Sequence, residues 1–322
     1  MNYFGAIMWR EFTQSKKVTL IVRTGFSAFF IALLIEIVRP GDLFKIFQQS
    51  DPIMIGIAVL LSPIILSLRG FRWHVLIRNN SSVTYGYSLK MVVAGLTFGM
   101  FTPGRLGEIS RLAFIKREER TKAFGLLLGE KIVEAISYGM YSVYGVYLIF
   151  GAFISTGLAL FCGGISLFLL LNINYKLWDG AVQVVKVSWI VNALKALAQF
   201  DRRTTFSVLG ICLIMNLLAF LQLFFLLNSL HTVALFPLAF MFPLTILINV
   251  IPFPTIAGIG PREAAAVYLF GQFGVPGEAA FAATFLWFFA NTGIIGITGY
   301  SFWIKEHSRG REESIAGDQS RK

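Results

Sequence analysis

The sequence predicts an all-α integral membrane protein, with about six full transmembrane helices plus two oppositely oriented re-entrant hairpins in an inverted repeat. Three observations lead to this. Of the 322 residues, 56% are hydrophobic and only 14% charged, and mean hydropathy is +0.70, a balance too apolar for a water-soluble domain. Several windows reach the length of about 17 residues that a bilayer crossing needs: Val18–Val38, Pro52–Leu68, Ala123–Phe150, Ser155–Ile173, Thr205–Leu230 and Gly277–Ile304, with Val233–Pro252 as a further candidate. Finally, proline, glycine, arginine and glutamate together break two apolar stretches, Thr102–Arg111 and Ile256–Glu263. Proline and glycine interrupt a helix and ions at membrane depth are costly, so each break is a candidate functional site.

In chain order, Phe4, Ile7, Met8 and Phe12 stand at helical spacing ahead of Lys16 and Lys17, which suits a short helix at the cytoplasmic interface. No short apolar core with a small-residue cleavage site follows, so the segment from Val18 is expected to be a permanent span. Within it Arg23 snorkels to the headgroups, and Glu36 and Arg39 lie near its far end. Pro40–Asp51 has turn chemistry and is expected to be an outside loop. The second span ends in Arg69-Gly70-Phe71-Arg72-Trp73-His74 and Arg78, a basic and aromatic cluster expected where a helix leaves the membrane on the cytoplasmic side.

Gly86–Phe101 is apolar, short and glycine-containing. A full crossing there would put the basic tract Lys116–Lys122 outside. A hairpin over residues 86–115 that enters and leaves on the cytoplasmic side keeps it inside. Ala123–Phe150 then runs outward and Ser155–Ile173 returns. Residues 174–203 are cytoplasmic, with Ser188, Asn192, Lys195 and Gln199 on one helical face. Thr205–Leu230 runs outward, residues 233–275 form a second hairpin from the outside, and Gly277–Ile304 runs inward to a basic terminus. This places most of the 28 lysines and arginines on the cytoplasmic side, as orientation by positive charge requires. The expected organisation is a single membrane domain over 1–322, with pseudo-repeat halves 18–150 and 155–304, a polar cytoplasmic tail 305–322 and both termini cytoplasmic. In such inverted repeats, interrupted segments at corresponding positions mark the site near the midplane.

The net charge of +11 is scattered over short connections rather than gathered in one soluble domain, which argues against nucleic acid as a partner. The two cysteines, Cys162 and Cys212, make neither a disulfide framework nor a metal-ligand spacing. No metal or cofactor is expected. His74, His231 and His307 show no ligand spacing, and Gly258-Ile259-Gly260 has no strand before it to make a nucleotide loop. Paired carboxylates leave membrane catalysis open as an alternative.

Both breaks read as helix starts pointing into the membrane. Thr102 is a good cap before Pro103, and Gly260 precedes Pro261; proline suits the first helical position because its missing N–H would be unsatisfied there. Two starts facing each other make a backbone anion site from Gly104, Gly107, Gly258 and Gly260. Arg105 and Arg262 add fork-shaped donors suited to phosphate oxygens, and Glu108 and Glu263 balance them when no anion is present. Glu130 and Glu134 share a helix face with Lys131 beside them, about 13–20 Å from the start of that helix at 1.5 Å per residue. The candidate substrate-binding residues are therefore Arg105, Glu108, Arg111, Glu130, Lys131, Glu134, Arg262 and Glu263. The competing reading is a buried polar knot without a ligand, with Arg111 reaching the cytoplasmic headgroups instead.

Pro103-Gly104-Arg105-Leu106-Gly107-Glu108 with Arg111, then Glu130-Lys131-x-x-Glu134, then Gly258-Ile259-Gly260-Pro261-Arg262-Glu263 together resemble the membrane domain of lysylphosphatidylglycerol synthases, a flippase-like family. The resemblance covers nearly the whole chain. The family more often shows arginine and aspartate where Lys131 and Glu134 stand. The soluble aminoacyl-transferring domain of the full synthases has no counterpart here, so lipid synthesis is not carried over. The resemblance implies a flippase or translocase in the cell membrane for a phospholipid, aminoacylated or not, or another phosphate-bearing lipid. No ATP-binding motif is visible, so transport would be passive or ion-coupled. A second copy of the chain and a separately encoded lipid-modifying transferase are the protein partners left open. The alternative is an integral-membrane enzyme or accessory scaffold acting on a phosphate-bearing lipid or a polyprenyl-phosphate carrier.

Overall fold

The computed structural model describes residues 40–78, 83–100, 102–116, 118–171, 202–247, 255, 259–296 and 299. Every described element is helical: α1 Pro40–Gln48, α2 Pro52–Ile77, α3 Tyr85–Met100, a 3-10 segment Pro103–Phe114, α4 Arg120–Leu171, α5 Arg202–Leu230, α6 Leu235–Leu247, α7 Pro261–Gly271 and α8 Gly277–Phe288, continued by a π-helical turn Phe289–Gly293. Pro52–Ile77, Arg120–Gly163, Arg203–Leu230 and Gly277–Gly296 are long and apolar enough to cross a membrane. The predicted first span, the connection at 174–201, Gly258 and the polar tail lie outside the described residues.

One expectation is corrected. Pro40–Asp51 is largely helix rather than loop, because Pro40 suits the first position of α1 and the turn chemistry is confined to residues 49–51, where Ser50 N–H bonds Phe47 O at 3.3 Å. Asp51 then caps α2 by accepting the Ile53 N–H at 2.8 Å, with Pro52 in the first position. The spans expected at 123–150 and 155–173 are two helical arms of α4 that meet at Gly151, with φ 81° and ψ −179°, a conformation that glycine alone adopts without penalty. The chain doubles back at this point. A Cβ on Gly139 would lie 2.4 Å from Cys162 Sγ, whereas a straight helix would hold the two about 35 Å apart.

α2 and α5 form the centre of the bundle, and the Asp51 N–H bonds Ser229 O at 3.0 Å, tying the start of one to the end of the other. One apolar cluster gathers Trp73, Met91, Leu126 and Val208; a second gathers Leu223, Phe242, Phe270 and Ala283. Lipid offers no hydrophobic drive for helices to associate, so close packing through small residues takes its place. Ala279, Ala280, Ala282 and Ala283 give α8 such a surface, each at most 1% exposed. A Cβ on Gly145 of α4 would come within 2.7 Å of Phe240 O on α6, and one on Gly296 within 2.9 Å of Met100 Sδ on α3.

The 3-10 segment positions the site. It runs back along α3 so that the Tyr87 hydroxyl donates to Phe114 O at 3.1 Å. Its twelve residues are many for this helix type. A repeat of about three residues per turn puts Arg105, Glu108, Arg111 and Phe114 in one register, and Gly104, Gly107 and Ser110 in the next. Gly107 packs against α3 so closely that a Cβ would lie 2.2 Å from the Phe98 carbonyl, and its N–H is taken by Thr102 Oγ1 at 2.5 Å.

Candidate functional site

Three elements converge on a closed ring of ions. Arg72 of α2 pairs with Glu130 at 2.5 Å and with Glu134 at 3.3 Å, both on α4. Glu130 pairs with Arg111 at 3.0 Å, and Arg111 with Glu108 at 3.3 Å, its neighbour one turn back on the 3-10 segment. Glu108 pairs with Lys131 at 2.7 Å, and Lys131 with Glu134 at 3.2 Å, which closes the circuit at Arg72. Charges alternate around the ring, so each ion touches two of the opposite sign and the sum is zero. Burying a lone ion costs far more than burying a matched set. Arg72, Glu108, Arg111 and Glu130 are all at most 5% exposed. Glu134 and Lys131 lie towards the surface, their side chains 18% and 43% exposed.

The local sequence explains how the ring is presented. Glu130 and Glu134 are four apart on a helix and share a face, and Glu108 and Arg111 are three apart on a 3-10 helix and eclipse each other. Arg111 lies 5.5 Å over the Trp73 ring and in a space that α3 leaves at Gly95, where a Cβ would meet its side chain at 2.7 Å.

Arg72 corrects the sequence reading. It belongs to the tract expected to leave the membrane among the headgroups, yet it is 2% exposed and also donates to Cys212 Sγ at 3.3 Å. The run Val75-Leu76-Ile77 beyond it continues α2 and is buried with it, but such a run occurs equally beyond a snorkelling arginine and does not by itself turn Arg72 inward. Arg111 likewise faces the ring rather than the headgroups. For Gly95 no sequence signal existed, since its role depends on which side chain lies opposite.

The second break forms a separate seat. Gly260, with φ 110°, opens α7, and Pro261 takes the first helical position as expected. Glu263 accepts the Gly260 N–H at 2.8 Å and pairs with the adjacent Arg262, so the chain's own carboxylate occupies this helix start. The Arg262 guanidinium lies 4.6 Å from the Phe288 ring centre and 5.8 Å from that of Trp287, both on α8. One turn on, Asn291 of the π-helical turn donates to Gln222 at 2.6 Å, and Gln222 donates to Ser62 at 2.8 Å, joining α8, α5 and α2 through buried polar groups. No hydrogen bond or ion pair among the described residues joins the ring to the Arg262 seat. Arg105 lies on the 3-10 segment with its side chain outside the described part of the chain.

The model of the lysylphosphatidylglycerol synthase TM region matches residues 20–299. The chain belongs to this family. The matched span contains the ring and the Arg262 seat entire. No curated protein matches the chain. As a member of the lysylphosphatidylglycerol synthase membrane-region family, it is a membrane protein, and the family takes its name from the making of a phospholipid.

Proposed function

We propose that the protein is a lipid flippase or translocase that moves a phosphate-bearing phospholipid between leaflets without altering it chemically. The observation that carries this reading is the closed ring of ions that is buried on one side and opens at Lys131 and Glu134, whose side chains are 43% and 18% exposed. A structural knot is satisfied by buried pairs alone, whereas Lys131 stands at the rim, where an incoming phosphate displaces Glu108 and exposes Arg111 behind it. The geometry supports passage through the membrane interior in a second way. α3 and the 3-10 segment are each about 24 Å long, short of a hydrocarbon core of about 30 Å, and they begin and end beside each other at Tyr87 and Phe114. α6 and α7, about 20 and 16 Å long, start after the end of α5 and finish before α8. On this proposal the two pairs act as hairpins entering from opposite ends, as the inverted-repeat plan of a transporter requires. On this reading the headgroup passes between the ring and Arg262, with Arg105 in register with Glu108 beside the path.

Proteoliposomes with labelled phosphatidylglycerol test it. Lys131→Gln is expected to slow movement between leaflets at least tenfold while folding as the wild type does. Equal rates would overturn the proposal and favour the other reading that the neutral ring supports, a structural lock for α2, α4 and the 3-10 segment.

A further inference from the structure

Arg262 and Trp287 share a feature the ion pairs leave unexplained. The Arg262 Nε and the Trp287 Nε1 are buried and neither has a hydrogen-bond partner; the same holds for the hydroxyl of Thr255 in the same break. Arg262 is 4% exposed, Trp287 8% and Thr255 0%. Buried donors are almost always paired, and pairing matters most where no water can substitute. Two donors left open on side chains that pack against each other, on two different helices, are hard to account for as packing alone. An open Nε is shared by Arg72 and Arg111 of the ring, but an open indole is not: the Trp73 N–H donates to Met91 Sδ at 3.2 Å, which makes the Trp287 N–H the distinguishing donor of this seat.

The character of the open groups defines what they take. Glu263 already balances the charge of Arg262, so the seat does not call for a bare anion to neutralise it. It offers N–H donors and no unsatisfied carboxylate oxygen, which suits a group rich in acceptor oxygens. The donors are enclosed by protein rather than facing the lipid side of the bundle, as expected for a group drawn into the interior.

Resting on the flippase reading, we propose that Trp287 is a ligand-contacting residue: its indole N–H, beside the Nε–H of Arg262, donates to the oxygens of the phospholipid headgroup. The ring of ions and the Arg262 seat then hold the same headgroup through different chemistry, exchange of ion pairs at one and neutral donation at the other.

The test uses the full chain in nanodiscs, labelled with 5-fluorotryptophan and titrated with phosphatidylglycerol or, separately, with free glycerol phosphate. The fluorine resonance lost in Trp287→Phe identifies the indole. It is expected to shift with the lipid and not with the soluble phosphate. Trp287→Phe keeps a ring over Arg262 and removes only the N–H, so it is expected to melt with the wild type yet bind phosphatidylglycerol roughly tenfold more weakly, the loss of one hydrogen bond. A resonance that does not move, together with unchanged affinity in Trp287→Phe, would overturn the assignment and leave the flippase reading standing. Failure of the wild type to bind phosphatidylglycerol would overturn both, and a shift with glycerol phosphate alone would assign the seat to a soluble ligand.

Discussion

The buried side chains of the ring hold one another in place, whereas Lys131 at the rim can be replaced with less loss. Replacing Arg72 by methionine leaves the buried Glu130 and its neighbour Glu134 short of a counter-ion, and the expected cost is about 3–5 kcal/mol, measurable as a lowered unfolding midpoint in detergent. Removing Glu130 as well leaves Arg111, Glu108, Lys131 and Glu134 as a balanced set. Arg72→Met/Glu130→Met is therefore expected to be more stable than Arg72→Met alone, and a double variant that is simply worse by the sum would show that the two do not act as a pair. At this scale the sequence was legible where local spacing decides contact. Glu108 with Arg111 and Lys131 with Glu134 follow from helix repeat alone. Arg72 did not, because a basic residue near the end of an apolar run looks the same whether it snorkels to the headgroups or turns inward.

Among the elements, the 3-10 segment shows how backbone geometry prepares the site. Its register turns Glu108 and Arg111 to one side and Gly107 towards α3. Gly107 meets the rigid Phe98 backbone, so Gly107→Ala is expected to lose about 1–3 kcal/mol through overpacking. Gly95 meets the Arg111 Cγ and Nε, at 2.8 and 2.7 Å from an added Cβ, so Gly95→Ala is expected to push that arginine off Glu108 and Glu130 and to destabilise the protein as well. Denaturant unfolding measures both losses, and a Gly95→Ala variant as stable as the wild type would contradict this packing. Both prolines were correctly placed at helix starts from the sequence. The glycines were expected to cradle an anion. The structure instead gives Gly107 a packing role and commits the Gly260 N–H to Glu263, since a glycine signals only that something comes close, never what.

Across the whole molecule, the contacts between element ends define two sides. Asp51 bonds Ser229, and Tyr87 bonds Phe114, so residues 49–51 and 228–233 lie at one end of the bundle and residues 76–78, 83–87 and 114–116 at the other. With the buried Cys162 and Cys212 replaced by serine, Ser50→Cys and His231→Cys are expected to react with an impermeant maleimide from one side of sealed vesicles, and Arg78→Cys and Lys116→Cys from the other. Labelling of Lys116→Cys from the same side as Ser50→Cys would mean that α3 and the 3-10 segment cross the membrane rather than return.

By itself the sequence determined that the chain lives in a membrane, where its long apolar helices lie and which two stretches break them, because each follows from hydrophobic length and from the cost of ions in lipid. It also pointed to the acidic and basic residues that would meet, as far as helix repeat reaches. Only the tertiary structure decided that these ions close into a neutral ring through Arg72, that Lys131 is its most exposed member, and that Arg262 rests in an aromatic seat of its own. The physical reason is distance along the chain. Arg72 and Glu130 meet because α2, α4 and the 3-10 segment pack together, and which of several similar charges faces inward is settled by that packing rather than by any local pattern.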